Sequence, residues 1–195
     1  MATILRTATP EDGALLARIY EYYVRETTIT FEYDPPCEEE FSRRIAHKLK
    51  RYPYIVAEVD GRVAGYAYAS SFRERAAYDW DTELSVYVDR EYRHLGIGKR
   101  LYSALIELLE KQGFVNLYAW ITAPNPESIS FHERMGFGHI CDIPAIGYKH
   151  GAWRGICWYG LCLGGGEPRK IIKFPNLDGE TVAEVLKRHS ENFGI

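Results

Sequence analysis

The stretch "RHLGIGKR" (93–100) sets Gly96 and Gly98 one residue apart, directly ahead of an aliphatic run, with Arg93, His94, Lys99 and Arg100 around them. Such a turn can hold an anion. Glycines let backbone N–H groups approach a ligand that a Cβ would obstruct, and a helix start carries roughly +0.5 charge. Phosphate oxygens fit that description. The pattern R-x-x-G-x-G is not a P-loop, nor is it a full dinucleotide fingerprint, because Tyr102 and Ser103 stand where further motif elements are needed. An ordinary left-handed turn between strand and helix also accounts for two glycines. A strand, "DTELSVYVD" (81–89), precedes the turn, and its alternation places Glu83, Ser85 and Tyr87 on one face and Leu84, Val86 and Val88 on the other.

The elements that position this turn belong to one domain of ordinary globular composition. The 195 residues are 46% hydrophobic and 26% charged, enough to bury a sizeable core. A net charge of −3 gives no basic face for nucleic acid. Cys37, Cys141, Cys157 and Cys162 form no C-x-x-C pair and have no histidines at zinc-site spacing, so free thiols and no metal are expected. No signal peptide and no apolar run of transmembrane length is visible, which leads to the expectation of a cytoplasmic protein without membrane contact.

Along the chain, "TILRTAT" reads as a strand and "TPEDGALLARIYEYYV" as a helix capped by Thr9, with Pro10 first inside it. "CEEEFSRRIAHKLKRY" is a second helix, and Asp60-Gly61 turns a hairpin between two apolar strands. After the glycine turn, Ile97, Leu101, Leu105, Leu108 and Leu109 define a helix that Gly113 caps. "FVNLYAWI" is a strand, "NPESISFHERMG" a short helix, and two strands turn at His150-Gly151. The order β-α-α-β-β-β-α-β-α-β-β predicts a mixed α/β fold with helices on both faces of the sheet, and the unit 82–121 should be a right-handed parallel crossover. Three glycines at 164–166 suggest a hinge, dividing a domain (1–163) from an extension (164–195). The extension carries a helix starting near Thr181 with Glu184 as capping-box partner, packed on the domain or on a neighbouring subunit.

The strand, the R-x-x-G-x-G turn and the Asn-led helix in this order resemble the GNAT superfamily of N-acetyltransferases over residues 3 to about 162. The resemblance implies a mostly antiparallel sheet of about seven strands and acetyl-coenzyme A as acetyl donor. Val86, Tyr87 and Val88 would line thioester and pantetheine through backbone groups. Arg93, His94, Leu95, Gly96, Ile97, Gly98 and Lys99 would cradle the pyrophosphate, and Asn125 and Ser128 would make polar contacts from the short helix. Asn125 is equally a helix N-cap, and the two roles can coexist.

"TTITFEYDP", "RAAYDWDTELSVYV" and "GYKHGAWRGICWYGL" further resemble the phosphinothricin N-acetyltransferase branch. That resemblance implies a homodimer acting on a small amine, and it makes Glu83 the candidate base, against the plain reading of a solvated strand-end carboxylate. His132 stands where many superfamily members carry a tyrosine acid. Two readings stay open for it: a proton donor to the coenzyme thiolate, or a ring packed between helix and sheet. Arg75 aligns with an arginine that could fork onto a carboxylate or phosphinate, with Arg73 two residues away. Tyr78 and Phe31 could shape the pocket wall, although core packing equally explains Phe31. The activity expected is acetylation of an amino acid analogue such as phosphinothricin or methionine sulfoximine. A protein N-terminal acetyltransferase and a non-catalytic acyl-coenzyme A binding module are the alternatives.

Overall fold

The computed structural model describes residues 2–190; Met1 and residues 191–195, on which the end of the expected last helix falls, lie outside the described residues. The elements follow the expected order: β1 (Thr3–Thr7), α1 (Gly13–Glu26), α2 (Glu38–Leu49), β2 (Tyr54–Val59), β3 (Arg62–Ser71), β4 (Asp81–Val88), α3 (Ile97–Gln112), β5 (Asn116–Ala123), α4 (Pro126–Arg134), β6 (Gly138–Lys149), β7 (Ala152–Cys162) and α5 (Gly179–Ser190). One seven-stranded sheet runs β1-β2-β3-β4-β5-β7-β6. Every pairing is antiparallel except β4 with β5, the crossover that α3 makes.

Local chemistry explains most boundaries. Asp60 and Gly61 (φ 48° and 80°) and His150 and Gly151 (φ 49° and 72°) are both left-handed pairs, the geometry whose twist matches a two-residue hairpin. Gly113, at φ 99°, ends α3. Two starts differ from expectation. Thr9 and Asp12 bond reciprocally around a 3-10 turn (Pro10–Asp12), so α1 begins only at Gly13. Asp12 is held there by both guanidinium nitrogens of Arg6, at 2.7 and 2.8 Å. Helix α5 starts at Gly179 rather than Thr181. Its cap is Asp178, which accepts from the Thr181 N–H (2.8 Å) and hydroxyl (2.9 Å) and so does the work expected of Glu184.

Each face of the sheet has its own core. Helix α3 covers one with Leu101, Leu105, Leu108 and Leu109, all fully buried against Ala67, Ala69, Leu84 and Leu117. Each such leucine contributes about 1.5–3 kcal/mol. Helices α1 and α2 cover the other, packing Leu16 and Ile45 with a tyrosine set, Tyr20, Tyr23, Tyr54 and Tyr66. The segment after residue 163 folds back onto its own chain, and Phe174, Val185 and Leu186 complete the α3 core.

Candidate active site

Strands β4 and β5 pair only at Asp81–Asn116, Thr82–Leu117 and Glu83–Tyr118. Beyond Glu83, β4 stays with β3 and β5 stays with β7, so the two strands part and their facing backbone groups need other partners. Tyr23, from α1, supplies one: its hydroxyl donates to the Val88 carbonyl (2.5 Å) and accepts from the Val88 N–H (3.2 Å). Backbone groups alternate sides along a strand, so Val86 turns its N–H and C=O into the same wedge, whereas those of Tyr87 face β3, in register with Tyr66. The Tyr87 ring packs 5.0 Å from Tyr20 and from Tyr23. Of the three residues expected to line the wedge through their backbone, two are oriented for it.

The glycine turn closes the wide end of the wedge. His94 (φ 63°) and Gly96 (φ 76°) are left-handed, the alternation that makes a concave run of N–H groups. Among the described residues no side chain caps α3. A Cβ on Gly96 would meet nothing within 4 Å, and one on Gly98 would come no closer than 3.7 Å to Val88 and 3.8 Å to Phe131. Packing therefore does not demand glycine at 98; the space in front of it is what glycine preserves, as an anion seated on the amides requires. His94, Leu95 and Lys99 are exposed around this space, and Ile97 is buried beneath it. Arg93 lies over the rings of Tyr22 and Tyr23, 5.4 and 5.5 Å from their centroids. Arg100, one of the four basic residues of the turn, points instead to α5.

Across the wedge, Asn125 caps α4 by accepting from the Ser128 N–H at 3.2 Å. His132 is 6% exposed among Tyr102, Phe131 and Phe137. Its Nδ1–H donates to the Ser128 carbonyl (2.8 Å) and its Nε2 accepts from the Tyr102 hydroxyl (3.0 Å), so both nitrogens are used by a neutral ring. Burial pushes its pKa down, against a smaller opposing effect of the Ser128 carbonyl.

Glu83 sits at the point where the strands part, half-buried, its carboxylate making no hydrogen bond or ion pair among the described residues. Burial raises its pKa, and the positive charges of Lys48 and Arg73 partly oppose that rise. Lys48 Nζ lies 4.6 Å from the Tyr68 ring centroid. Tyr118 shares the face of Glu83, and Phe72 (4.6 Å), Trp158 (5.4 Å) and, beyond Phe72, Tyr78 (5.8 Å) extend an aromatic wall from it. Arg73 and Arg75 are exposed beside this wall, and the Arg75 guanidinium makes no hydrogen bond or ion pair among the described residues.

The loop between α1 and α2 forms the opposite wall, and several residues that spacing did not reveal hold it. Phe31 presses on Gly147, where a Cβ would come within 2.6 Å of the ring. Lys149, 2% exposed, donates to the Thr30 carbonyl at 2.7 Å. The Tyr20 hydroxyl meets Thr30 Oγ1 at 2.6 Å and Glu32 at 3.0 Å, Arg44 binds Glu32 at 2.7 Å, and the Tyr33 hydroxyl bonds the Tyr148 carbonyl. "TTITFEYDP" and "GYKHG" each carry one side of this clasp in the sequence, and the structure brings them together.

Comparison with known proteins agrees with this geometry. The acetyltransferase (GNAT) domain family matches residues 5–158. A phosphinothricin N-acetyltransferase of Streptomyces viridochromogenes is 39% identical over 152 residues, 78% of this chain and 83% of that protein. An L-methionine sulfoximine/L-methionine sulfone acetyltransferase of Salmonella typhimurium is 29% identical over 160 residues, 82% of this chain and 94% of its own. The crystal structure of a GNAT superfamily phosphinothricin acetyltransferase from Sinorhizobium meliloti in complex with AcCoA superposes with a TM-score of 0.84 at 36% identity, covering 91% of this chain and 98% of that one.

Proposed function

Since the chain belongs to the GNAT acetyltransferase family, we propose that it acetylates the α-amino group of a small amino acid analogue, of the phosphinothricin or methionine sulfoximine and sulfone type, from acetyl-coenzyme A. The wedge carries this reading: a single strand, β4, runs from the anion cradle at its end back to an ionisable carboxylate. From Glu83 to Val88 is five residues, about 17 Å of extended chain, so a diphosphate at the turn leaves an arm directed at Glu83.

Bound acetyl-coenzyme A supplies an activated thioester carbonyl to the amine. Gly96, Ile97, Gly98 and Lys99 offer backbone N–H groups to the diphosphate, with Arg93, His94 and Leu95 framing the turn and Lys99 adding positive charge. Val86 and Val88 present N–H and C=O groups to the arm, Tyr23 being the group that shares Val88. Asn125 and Ser128 border the arm on its other side. Glu83 accepts the proton that the ammonium group must lose before it can attack; a carboxylate raised by burial is the better base for that task. Arg75, with Arg73, takes the acidic end of the substrate, and Tyr78 and Phe31 shape the walls. His132, with both nitrogens engaged, serves by joining α4 to α3 rather than by protonating the thiolate. In this reading the enzyme is a cytoplasmic homodimer with no metal requirement, and the exposed Ile140, Ile146, Tyr148 and Trp153 on β6 and β7 are the surface that supports assembly.

The test follows thiol release from acetyl-coenzyme A against phosphinothricin, methionine sulfoximine, methionine sulfone, unmodified amino acids, polyamines and short peptides. Turnover concentrated on the amino acid analogues is expected. Turnover of peptides alone, or coenzyme binding without release on any amine, overturns the assignment.

A further inference from the structure

The segment beyond residue 163 lies outside the matched family region, which ends at 158, and its course over the surface is specific. Trp80 Nε1–H donates to the Arg169 carbonyl (2.7 Å), Arg169 donates to the Glu110 carbonyl (2.7 Å), and Ile172 exchanges bonds with Gln112: N–H to main-chain oxygen at 2.9 Å, and side-chain Nε2 to the Ile172 carbonyl at 2.7 Å. From there α5 runs back along α3, its Val185 fully buried and Leu186 nearly so. Glu107 on α3 holds both Arg188 (2.8 Å) and His189 (3.0 Å). At its end, the Ser190 hydroxyl accepts from the Leu5 N–H of edge strand β1 (2.7 Å), and Arg100 donates to the carbonyls of Ser190 (2.9 Å) and His189 (3.4 Å).

Arg100 matters because of where it stands. Its own N–H makes the first α-helical bond of α3, to the Gly96 carbonyl at 3.1 Å, so its side chain ties the turn that opens the anion cradle to the last described residues of α5. We propose that the 164–190 segment is a clamp on the coenzyme cradle, with Arg100 as the positioning residue that transmits it: docked α5 fixes the first turn of α3 so that its amides are set for the diphosphate before it arrives. Arg100 then acts through the helix, not by touching phosphate. The proposal rests on the reading that coenzyme binds at this turn, and it concerns coenzyme affinity, not the proton transfer at Glu83, which lies at the other end of β4.

Two full-length variants test it. Val185→Asp places a charge in the α3–α5 contact and undocks α5 without altering any cradle residue, and trypsin cleavage after Lys187 or Arg188 reports the undocking. The expected result is an acetyl-coenzyme A KM raised about tenfold with kcat at saturating coenzyme within twofold. Arg100→Lys keeps the charge but is one bond shorter than the reach of Nη1, the nitrogen that meets both carbonyls; its KM should rise about threefold. An unchanged KM in undocked Val185→Asp, an equal fall in kcat, or full coenzyme affinity in Arg100→Lys overturns the clamp. If Val185→Asp does not fold, Arg100→Lys alone decides. Calorimetric titration of the unaltered protein with coenzyme A separates the premises: no binding there overturns the coenzyme reading and the clamp with it, whereas binding that both variants retain overturns only the clamp.

Discussion

The two faces of the sheet are both buried, yet they are built from different chemistry. On the α3 side the contacts are mostly aliphatic, with Phe114, Phe137, Tyr52 and Tyr159 among them and Tyr102 and His132 bonded to each other. On the α1–α2 side, tyrosines dominate: Tyr20, Tyr54, Tyr66, Tyr68 and Tyr87 stack or meet edge to face, and burial raises the phenol pKa of all of them. The apolar face can be packed without regard to direction. Phenols fix direction as well, because each hydroxyl seeks a partner. Tyr20 uses its hydroxyl on Thr30 and Glu32, and Tyr23 uses its own on Val88, so the second face fixes the loop between α1 and α2 and fills the opening beside β4. Glu83 points to this side. The fold thus keeps most of its aliphatic packing on one face and the proposed reaction geometry on the other.

Substitutions can break or sharpen that division, and the largest effect is expected at Glu83. Glu83→Gln should lower kcat about a hundredfold or more, with acetyl-coenzyme A binding retained by calorimetry. Because burial raises the folded-state pKa of this carboxyl, its ionised form disfavours folding, a stability that is present at low pH and lost as pH rises through the folded pKa. The variant should therefore have a higher Tm than the parent at neutral pH, in a thermal scan, while losing activity. A lower Tm would place Glu83 among the structural groups.

Leu105→Ala probes the opposite face. Burial of this leucine is complete, and its removal should cost about 2–5 kcal/mol in denaturant unfolding while the specific activity of the folded fraction stays near that of the parent. A large loss of kcat in the folded fraction would erase the division. Gly96→Ala comes next. Its Cβ has open space but a left-handed backbone, so a strain of about 1–2 kcal/mol should accompany a KM for acetyl-coenzyme A raised several-fold; steady-state kinetics that left KM unmoved would separate the turn from the coenzyme.

The smallest effect is a pH shift. Lys48 is the larger of the two charges that hold the Glu83 pKa down against burial. Lys48→Met removes it, so the Glu83 pKa rises and the acid limb of kcat/KM should move to higher pH by up to about one unit. A limb that stayed in place, or moved to lower pH, would show that another group controls it.

Much of this was legible in the sequence where a signal is short in range. Hairpins at Asp60-Gly61 and His150-Gly151, the Gly113 cap and the alternation of β4 depend on neighbours along the chain, and they stand as read. Helix α5 starts two residues before the expected Thr181 because Asp178, not Glu184, meets Thr181, an outcome decided by the path of the chain entering the helix. Lys149 and Gly147 were visible only as part of "GYKHG", since the residues they serve, Thr30 and Phe31, lie more than a hundred positions away.

By itself the sequence determined the periodic elements, the glycine turn and the candidate carboxylate, because backbone propensity, capping and alternation act over a few residues. Tertiary structure decided that β4 and β5 part just after Glu83, that Tyr23 lies in the opening, that Lys48 and Arg73 set the charge around the carboxylate, and that Arg100 leaves the anion turn for α5. Each of those outcomes depends on contacts between distant segments, whose geometry follows from how the packed helices sit on a twisted sheet and has no counterpart in local spacing.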